Sequence, residues 1–431
     1  MAVKYIDVTA SSDLFAPAVR AFGDIAIIGR GGFGTKKSRP VDIASPADAA
    51  GAYPHGATKL VAAVDSGSSS VDVPVDVPVG TLVRIGAEAT SEVRTVQDSA
   101  AAGTNFTLTL DTALDQPHPA GTDLLEEQDS DLLRAVRTVF RQSPPPTRVW
   151  GVQVDFGTPL WGEALDDVGR LDVQIVALAN MPLNDTNRAT LGLLADHVTH
   201  ADGDGKERIG VAMIDRTLSA EDMVKQNSAP VKNERMVLVA HHSPDDVAAA
   251  AAGVIAGYRP HVSLLLKPID IAMTELFAEA DITKLDDGRI NWITSPVLLP
   301  GHALYLGEGY TADESHGKKY IDVVRTLDDI NFRIKAQLIR AIGSLRISRI
   351  GLRAVLTMVE SVLSPLVQQE VIEDFAIVIP LLALLDKDQA ELSGAEQLKI
   401  KTARSSREVP MMVSVVYAGA IHRLKIDLVF T

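Results

Sequence analysis

The sequence has no cysteine among its 431 residues. That excludes disulfide staples, thiolate metal sites and cysteine nucleophiles together. Aromatic residues are sparse, at 5%, and basic residues are outnumbered, giving a formal net charge of −15. A chain this acidic lacks the basic face that phosphate backbones require, so no nucleic-acid partner is expected. The acid excess instead favours solubility through hydration and self-repulsion. Long apolar runs are missing too. The stretch from Phe375 to Leu385 is broken by Pro380, and no uninterrupted run reaches the ~18–20 residues of a membrane-crossing helix. Membrane insertion is therefore not expected. The N-terminus, MAVKYIDVTASSD, has no cationic start followed by an apolar run, so no secretory signal is read there. No GxSxG elbow, HExxH pair or complete calcium loop is present. No catalytic residue, metal ligand or cofactor is assigned.

What is present is apolar residue in quantity, 46%, in a chain long enough for about two to four domains and more than one core. Residues 1–20 read as an arm: Val3, Tyr5, Ile6 and Val8 make a short strand before polar TASSD and Pro17. Ile25 to Ile28 reads as a buried strand, followed by GRGGFG and a polar loop to Pro40. Ser45-Pro46-Ala47-Asp48 has the chemistry of a helix start, with Ser45 as cap and Pro46 at the first position. Between residues 60 and 122 the pattern changes to four or five short strands punctuated by Gly, Pro, Asn and Asp, a small all-β insertion.

From about Asp123 strand and helix alternate. Helices are expected over 129–140, 186–198 and from Ser243-Pro244 to Gly257. Strands are expected over 149–154, 173–178, 209–214 and 236–240. That order implies a parallel sheet covered by helices. The remainder reads as a further unit: a strand over 320–324, helices over 328–342 and 351–369, a strand over 375–380, a polar stretch over 386–406, and two closing strands, 409–417 and 421–430. In the last, Leu424, Ile426, Leu428 and Phe430 alternate with Arg423, Lys425, Asp427 and Val429, as in a strand with one buried face. The fold class is α/β (α+β overall). The division is 1–20 as arm, 21–59 with 123–318 as α/β middle domain, 60–122 as insertion and 319–431 as C-terminal core domain.

Several motifs invite chemistry. Gly29-x-Gly31-x-x-Gly34 follows a strand, as a dinucleotide fingerprint does. The segment behind it, Thr35 to Pro40, lacks the apolar period of the helix whose N-terminus would face a pyrophosphate. His197 and His200, with Asp196, Asp202 and Asp204, suggest a metal site but read more simply as a polar helix end; His241-His242 reads as a polar loop. Arg333, Lys335, Arg340, Arg346, Arg349 and Arg353 form a basic strip, either a solvated helix face or a contact for an acidic partner. Terminal strands expose a row of backbone donors and acceptors. They are satisfied either within the chain or by joining a neighbour's sheet, which between identical copies propagates as a ring or helix.

Taken in order, the pieces FGDIAIIGRGGFG, SPADAAGAYPHG, AAAAAGVIAGYRPHVSLLLKPI, KKYIDVVRTLDDINFRIKAQL and VPMMVSVVYAGAIHRLKIDLVF resemble contractile tail sheath proteins of phages and injection systems. Tyr320, Arg325, Thr326, Asp328, Asp329 and Ile330 carry the most telling stretch. The resemblance implies a multidomain sheath-type fold whose C-terminal core sheet is completed by arms of neighbouring subunits. It implies a homo-oligomer: a helical sheath around an inner tail tube, with baseplate and tail terminator proteins as further partners. Contraction would drive the tube through a target envelope. It places the protein in a virion tail assembled in the host cytoplasm. The strand arms would be Val3, Tyr5, Ile6, Val8, Leu424, Ile426, Leu428 and Phe430, and the basic strip would face the tube. Alternatives are a Rossmann-like oxidoreductase using the Gly29–Gly34 loop, and a binding or capsid-associated protein that recognises its target through the insertion.

Overall fold

Four consecutive apolar residues, Ile25 to Ile28, carry both faces of one strand, and all four are fully buried. Successive side chains of a strand point to opposite faces. Ile25 and Ile27 accordingly join one core, Ala26 and Ile28 another. A strand buried on both faces belongs inside a helix-covered parallel sheet. The computed structural model describes residues 22–200, 206–299, 301, 303–313 and 319–422. These fall into two units, 22–324 and 325–422.

In chain order the first unit contains β1 (Asp24–Arg30), β2 (Val41–Ile43) and α1 (Pro46–Ala52). Six strands follow: β3 (Ala57–Lys59), β4 (Ser70–Val73), β5 (Leu82–Ile85), β6 (Glu92–Ala102), β7 (Asn105–Leu110) and β8 (Asp123–Glu126). Then come α2 (Asp131–Arg141), β9 (Arg148–Val154), α3 (Trp161–Gly169), β10 (Ile175–Leu178), α4 (Arg188–Thr199), β11 (Ile209–Met213) and α5 (Ala220–Gln226). β12 (Met236–Ala240), α6 (Val247–Gly257), α7 (Glu279–Asp287), β13 (Asn291–Thr294) and β14 (Tyr305–Leu306) end the set.

The main sheet has eight strands in the order β14-β13-β12-β11-β10-β1-β9-β2. The six inner strands are parallel and the two edge strands run against them. From β1 the chain first adds β9 on one side, then β10 on the other, so the order reverses between β1 and β10. Parallel neighbours need a crossover, and α2 and α6 cover one face while α3, α4 and α5 cover the other. α6 is almost pure alanine and glycine, and its residues 247–256 are all buried; small side chains let it lie close against α2.

Local chemistry sets the helix starts. Ser45 caps α1, accepting from the Asp48 amide, and Pro46 stands first in the helix. The expected start at Ser243-Pro244 moves three residues: Asp246 is the cap of α6, accepting from the Ala249 amide at 2.9 Å. Its carboxylate reaches the same helix, whereas Ser243 serves the turn before it through the Asp245 amide.

β3 to β8 form a separate antiparallel sheet, order β3-β8-β5-β6-β7-β4, around Val71, Val83, Ile85, Val96, Leu108 and Leu124. Glu92 is buried in it. Burial alone would raise its pKa, but amides of Asp115 and Gln116 at 2.7 Å each, His118 at 3.1 Å and the Arg94 guanidinium outweigh it and hold the carboxyl below its usual value. A lowered pKa in the folded state contributes stability above the unfolded value of 4.5 and loses it as pH falls through the folded one. Glu92→Gln is therefore expected to destabilise this sheet at pH 7, with the gap to wild type closing below pH 4.5, as followed by denaturant titration across pH.

The second unit contains the rest of α8 (Ile321–Ile339), then α9 (Arg349–Gln368), β15 (Ile372–Val378), α10 (Pro380–Asp386), α11 (Gly394–Ser406) and β16 (Met412–Tyr417). Ile330, Val359, Leu363, Leu366 and Ile372 form one core; Leu352, Ile379, Leu381 and Ile400 form another.

Two expectations fail here. Of the expected strand 320–324 only Tyr320 pairs, in an isolated bridge to Tyr310, and residues 321–324 open α8: Ile321 and Val324, one helical turn apart, both enter a core of the first unit. The polar stretch 386–406 contains α11, capped by Ser393 and Glu396 acting reciprocally. A third concerns length. α9 is long and apolar enough to span a membrane, with a mean hydropathy of 1.5, although charges interrupt its apolar run; here its apolar face packs in the unit's two cores.

Candidate assembly surface

The loop Gly29–Gly34 shows what its glycines are for. No helix starts at Gly34; the chain runs instead to β2. The Glu126 carboxylate occupies the loop, accepting from the amides of Phe33 at 3.3 Å and Gly56 at 2.9 Å. A Cβ on Gly32 would lie 2.1 Å from the Gly56 nitrogen, so only glycine allows that approach. Phe33 is buried in the core of the six-stranded sheet. The loop thus fastens one sheet to the other, and an internal carboxylate holds the place where a nucleotide phosphate would bind.

Burial pushes the Glu126 carboxyl above its usual range despite those two amides. Glu126→Ala leaves both donors unpaired and is expected to cost about 2–4 kcal/mol. Glu126→Gln keeps an acceptor without the buried charge and should cost about 1 kcal/mol or less. Chemical denaturation of the two variants at pH 7 checks the order.

Ligands of doubly wound sheets bind where the strand order reverses, outside the carboxyl ends. That point, between β1 and β10, is filled. The Asn180 amide donates to Asp246 at 2.7 Å, and its side chain donates to Asp131 at 2.8 Å. A Cβ on Gly29 would meet Ala179 at 2.6 Å.

Of the candidate metal residues, His197 accepts from the buried Arg208 guanidinium at 3.3 Å. Burial first, and Arg208 second, lower its pKa to about 4, so it is neutral. His200 bonds the Asp196 carbonyl at the end of α4. Asp202 and Asp204 lie outside the described residues. Among the described residues no group of three or more His, Asp and Glu is arranged for a metal. His241 is not loop polarity. It is buried, its Nδ1 accepts from the Ser243 amide, and burial lowers its pKa to about 4.

The second unit offers surfaces for assembly. β15 and β16 pair antiparallel, Val378 opposite Met412 and Phe375 opposite Val415, and among the described residues no third strand joins either edge. Phe375, Ile377, Val413 and Val415 line the face packed on the core, while Val378, Met412 and Val416 are exposed. A two-stranded sheet is marginal alone and is stabilised by further strands. The expected arm residues Val3, Tyr5, Ile6, Val8, Leu424, Ile426, Leu428 and Phe430 all lie outside the described residues.

The basic strip divides. Arg333 pairs with Asp329 on its own helix at 2.8 Å, and Arg349 and Arg353 both pair with Asp386 at the end of α10. Lys335 lies on α8. Arg340 and Arg346 stand in the exposed link between α8 and α9, beside exposed Ile339, Ile342 and Ile350. Sequence reasoning missed a second basic set: Lys387, Lys401 and Arg404 line a cavity of about 520 Å³ with Arg349. The Ser393-x-x-Glu396 signature of α11 was the signal for it. The acid excess of the chain is confined to residues 22–324; beyond Val324 basic residues slightly outnumber acidic ones.

No protein-family model and no curated protein matches the sequence. The fold, however, matches along the whole chain. The helical sheath of the anti-feeding prophage in its contracted state superposes with a TM-score of 0.60 at 13% identity, covering 100% of this chain and 99% of that one. This is the contractile-sheath fold. A chain of the anti-feeding prophage baseplate shares it at a TM-score of 0.54 and 12% identity, again over 100% of this chain and 99% of that one. The contracted sheath complex of the extracellular contractile injection system PVC shares it over 69% of this chain and 81% of its own, at a TM-score of 0.51 and 15% identity. The sheath fold is therefore carried by a sequence with little identity to these relatives.

Proposed function

We propose that the protein is the structural subunit of a contractile sheath. Copies polymerise helically around an inner tube, and contraction drives that tube through a target envelope. The observation that carries this reading is the whole-chain likeness to a sheath subunit of the anti-feeding prophage. The two-stranded β15–β16 sheet supports it, since it leaves room for strands donated by neighbouring copies. Residues 1–20 and 418–431 are the donors in this reading, through the eight apolar arm residues named above. Arg340 and Arg346, with Lys335, Arg349 and Arg353, face an acidic tube surface, and Arg333 braces α8 beside them. The six-stranded sheet decorates the outside. Baseplate and terminator proteins bound the two ends of the tube, and the assembly belongs to a phage-like tail or injection system.

Negative-stain microscopy of the purified chain tests this. Hollow tubes or stacked rings of uniform width are expected. A protein that stays monomeric at high concentration, folded by circular dichroism, would rule it out.

A further inference from the structure

One loop of the first unit exposes hydrocarbon to an unusual degree. Between β13 and β14 the chain makes a tight turn, closed by the Leu299 amide donating to the Pro296 carbonyl at 3.1 Å. The Ser295 hydroxyl ties the neck of the loop to the Ala303 carbonyl at 3.0 Å. The two residues at the tip, Val297 and Leu298, are 98% and 95% exposed. The turn points its apolar tip outward, and these two hydrogen bonds lower the ordering cost of a contact. The stretch 290–307 contains no Lys, Arg, Asp or Glu, in a chain that is 23% charged.

The second unit has a receptacle of matching character. A groove of about 710 Å³ runs between α10 and α11, floored by Leu381, Leu384, Leu398 and Ala403 and closed by Pro380 and Pro410. Leu398 is 62% exposed. The charged groups on its rim, Lys399 and Glu408, are opposite in sign, so the groove suits an uncharged occupant. Its far end, at Pro410, adjoins the start of β16 and so continues the surface assigned above to donated strands.

We infer that the Val297-Leu298 turn of one copy seats in the α10–α11 groove of a second copy. The contact is heterologous: each subunit offers one knob and one hole on different surfaces, which propagates along a helix. It rests on the sheath reading and adds a contact distinct from strand donation, between side chains rather than backbones. It also gives a function to α11, which no strand donation requires.

The absence of cysteine makes the test clean. Leu298→Cys and Leu398→Cys are introduced together into the full chain, assembled, and oxidised. A ladder of covalent dimers, trimers and longer species on a non-reducing gel is expected, with neither single variant giving more than monomer. The variant pair Val297→Ser/Leu298→Ser, exposed and so without effect on the melting curve, should raise the concentration needed for assembly roughly tenfold or more. Tubes by microscopy with only monomer on the gel would overturn this contact and leave the sheath reading standing. No tubes and no ladder from a folded chain would overturn both. Dimers from Leu298→Cys alone would place turn against turn and also overturn it.

Discussion

Chains lacking residues 1–15, or lacking residues 419–431, are expected to remain folded and to form no tubes. The five buried clusters are built from the described residues 25–413 and 415, which both truncations retain, so each unit is expected to keep its core. In the proposed sheath, what they would lose is pairing with the β15–β16 sheet of the next copy. An arm forming about five backbone hydrogen bonds, each worth about 1 kcal/mol net, contributes roughly 5 kcal/mol before ordering costs. At 1.4 kcal/mol per factor of ten, even half of that shifts an association constant roughly a hundredfold. A lattice repeats the loss at every subunit. Sedimentation velocity should show monomer for both truncations at concentrations where the full chain pellets, with thermal melts close to the full chain's. Truncated chains that polymerise at the full chain's concentration would remove strand donation as the link between copies.

Asp246→Ala is expected to be the most damaging single change in the first unit, at about 2–5 kcal/mol. The Asp246 carboxylate is buried between β10 and α6, accepting from the Asn180 amide at 2.7 Å and the Ala249 amide at 2.9 Å. Alanine strands both donors away from water and uncaps the helix at the centre of the fold. Asn180 itself has a positive φ of 48°, a conformation that the Asp246 bond helps to hold. Asp246→Asn keeps one acceptor and should cost less than half as much. The two variants also differ in pH dependence. Burial raises the Asp246 pKa above 3.8, with Asp131 adding to the rise and the two amides and Arg134 opposing it. A raised carboxyl pKa means the folded state takes up a proton before the unfolded state does. This group's contribution to stability therefore grows as pH falls through the folded pKa and is complete below 3.8. Asp246→Asn removes that component. The gap between wild type and Asp246→Asn in thermal melts should therefore widen as pH falls from neutral through the folded pKa and level off below 3.8, and a pH-independent gap would deny the titration.

The middle of the fold was legible because burial on both faces leaves a direct trace. Ile25–Ile28 and Met236–Ala240 read as strands from their uninterrupted apolar runs, and Ser45-Pro46 as a helix start from cap chemistry. The second unit was less so. Ile321 to Val324 is rich in β-branched residues yet helical, since Ile321 and Val324 bury at helical spacing and tertiary packing overrides local preference. α11 is polar and mostly exposed, so its apolar period is weak and only its capping box marks it. The lack of a helix behind the glycine loop was legible in the polar, aperiodic Thr35 to Pro40. The loop's real tenant, Glu126, is 93 residues from Phe33, a separation no local pattern reports. The buried state of His197 and His241 was hidden for the same reason: their surroundings come from elements distant in sequence.

The six-stranded sheet leaves the main body through a narrow neck. Ala57 and Leu125 face each other across the β3–β8 pair, so its entry and exit are neighbouring residues, about 5 Å apart at their Cα atoms. A foreign domain whose own termini lie that close could be spliced in there, provided Glu126 and Gly56 are kept to lock the junction. The chain is thereby a natural cassette holder, in which whatever is displayed can be exchanged without redesigning the machine beneath it.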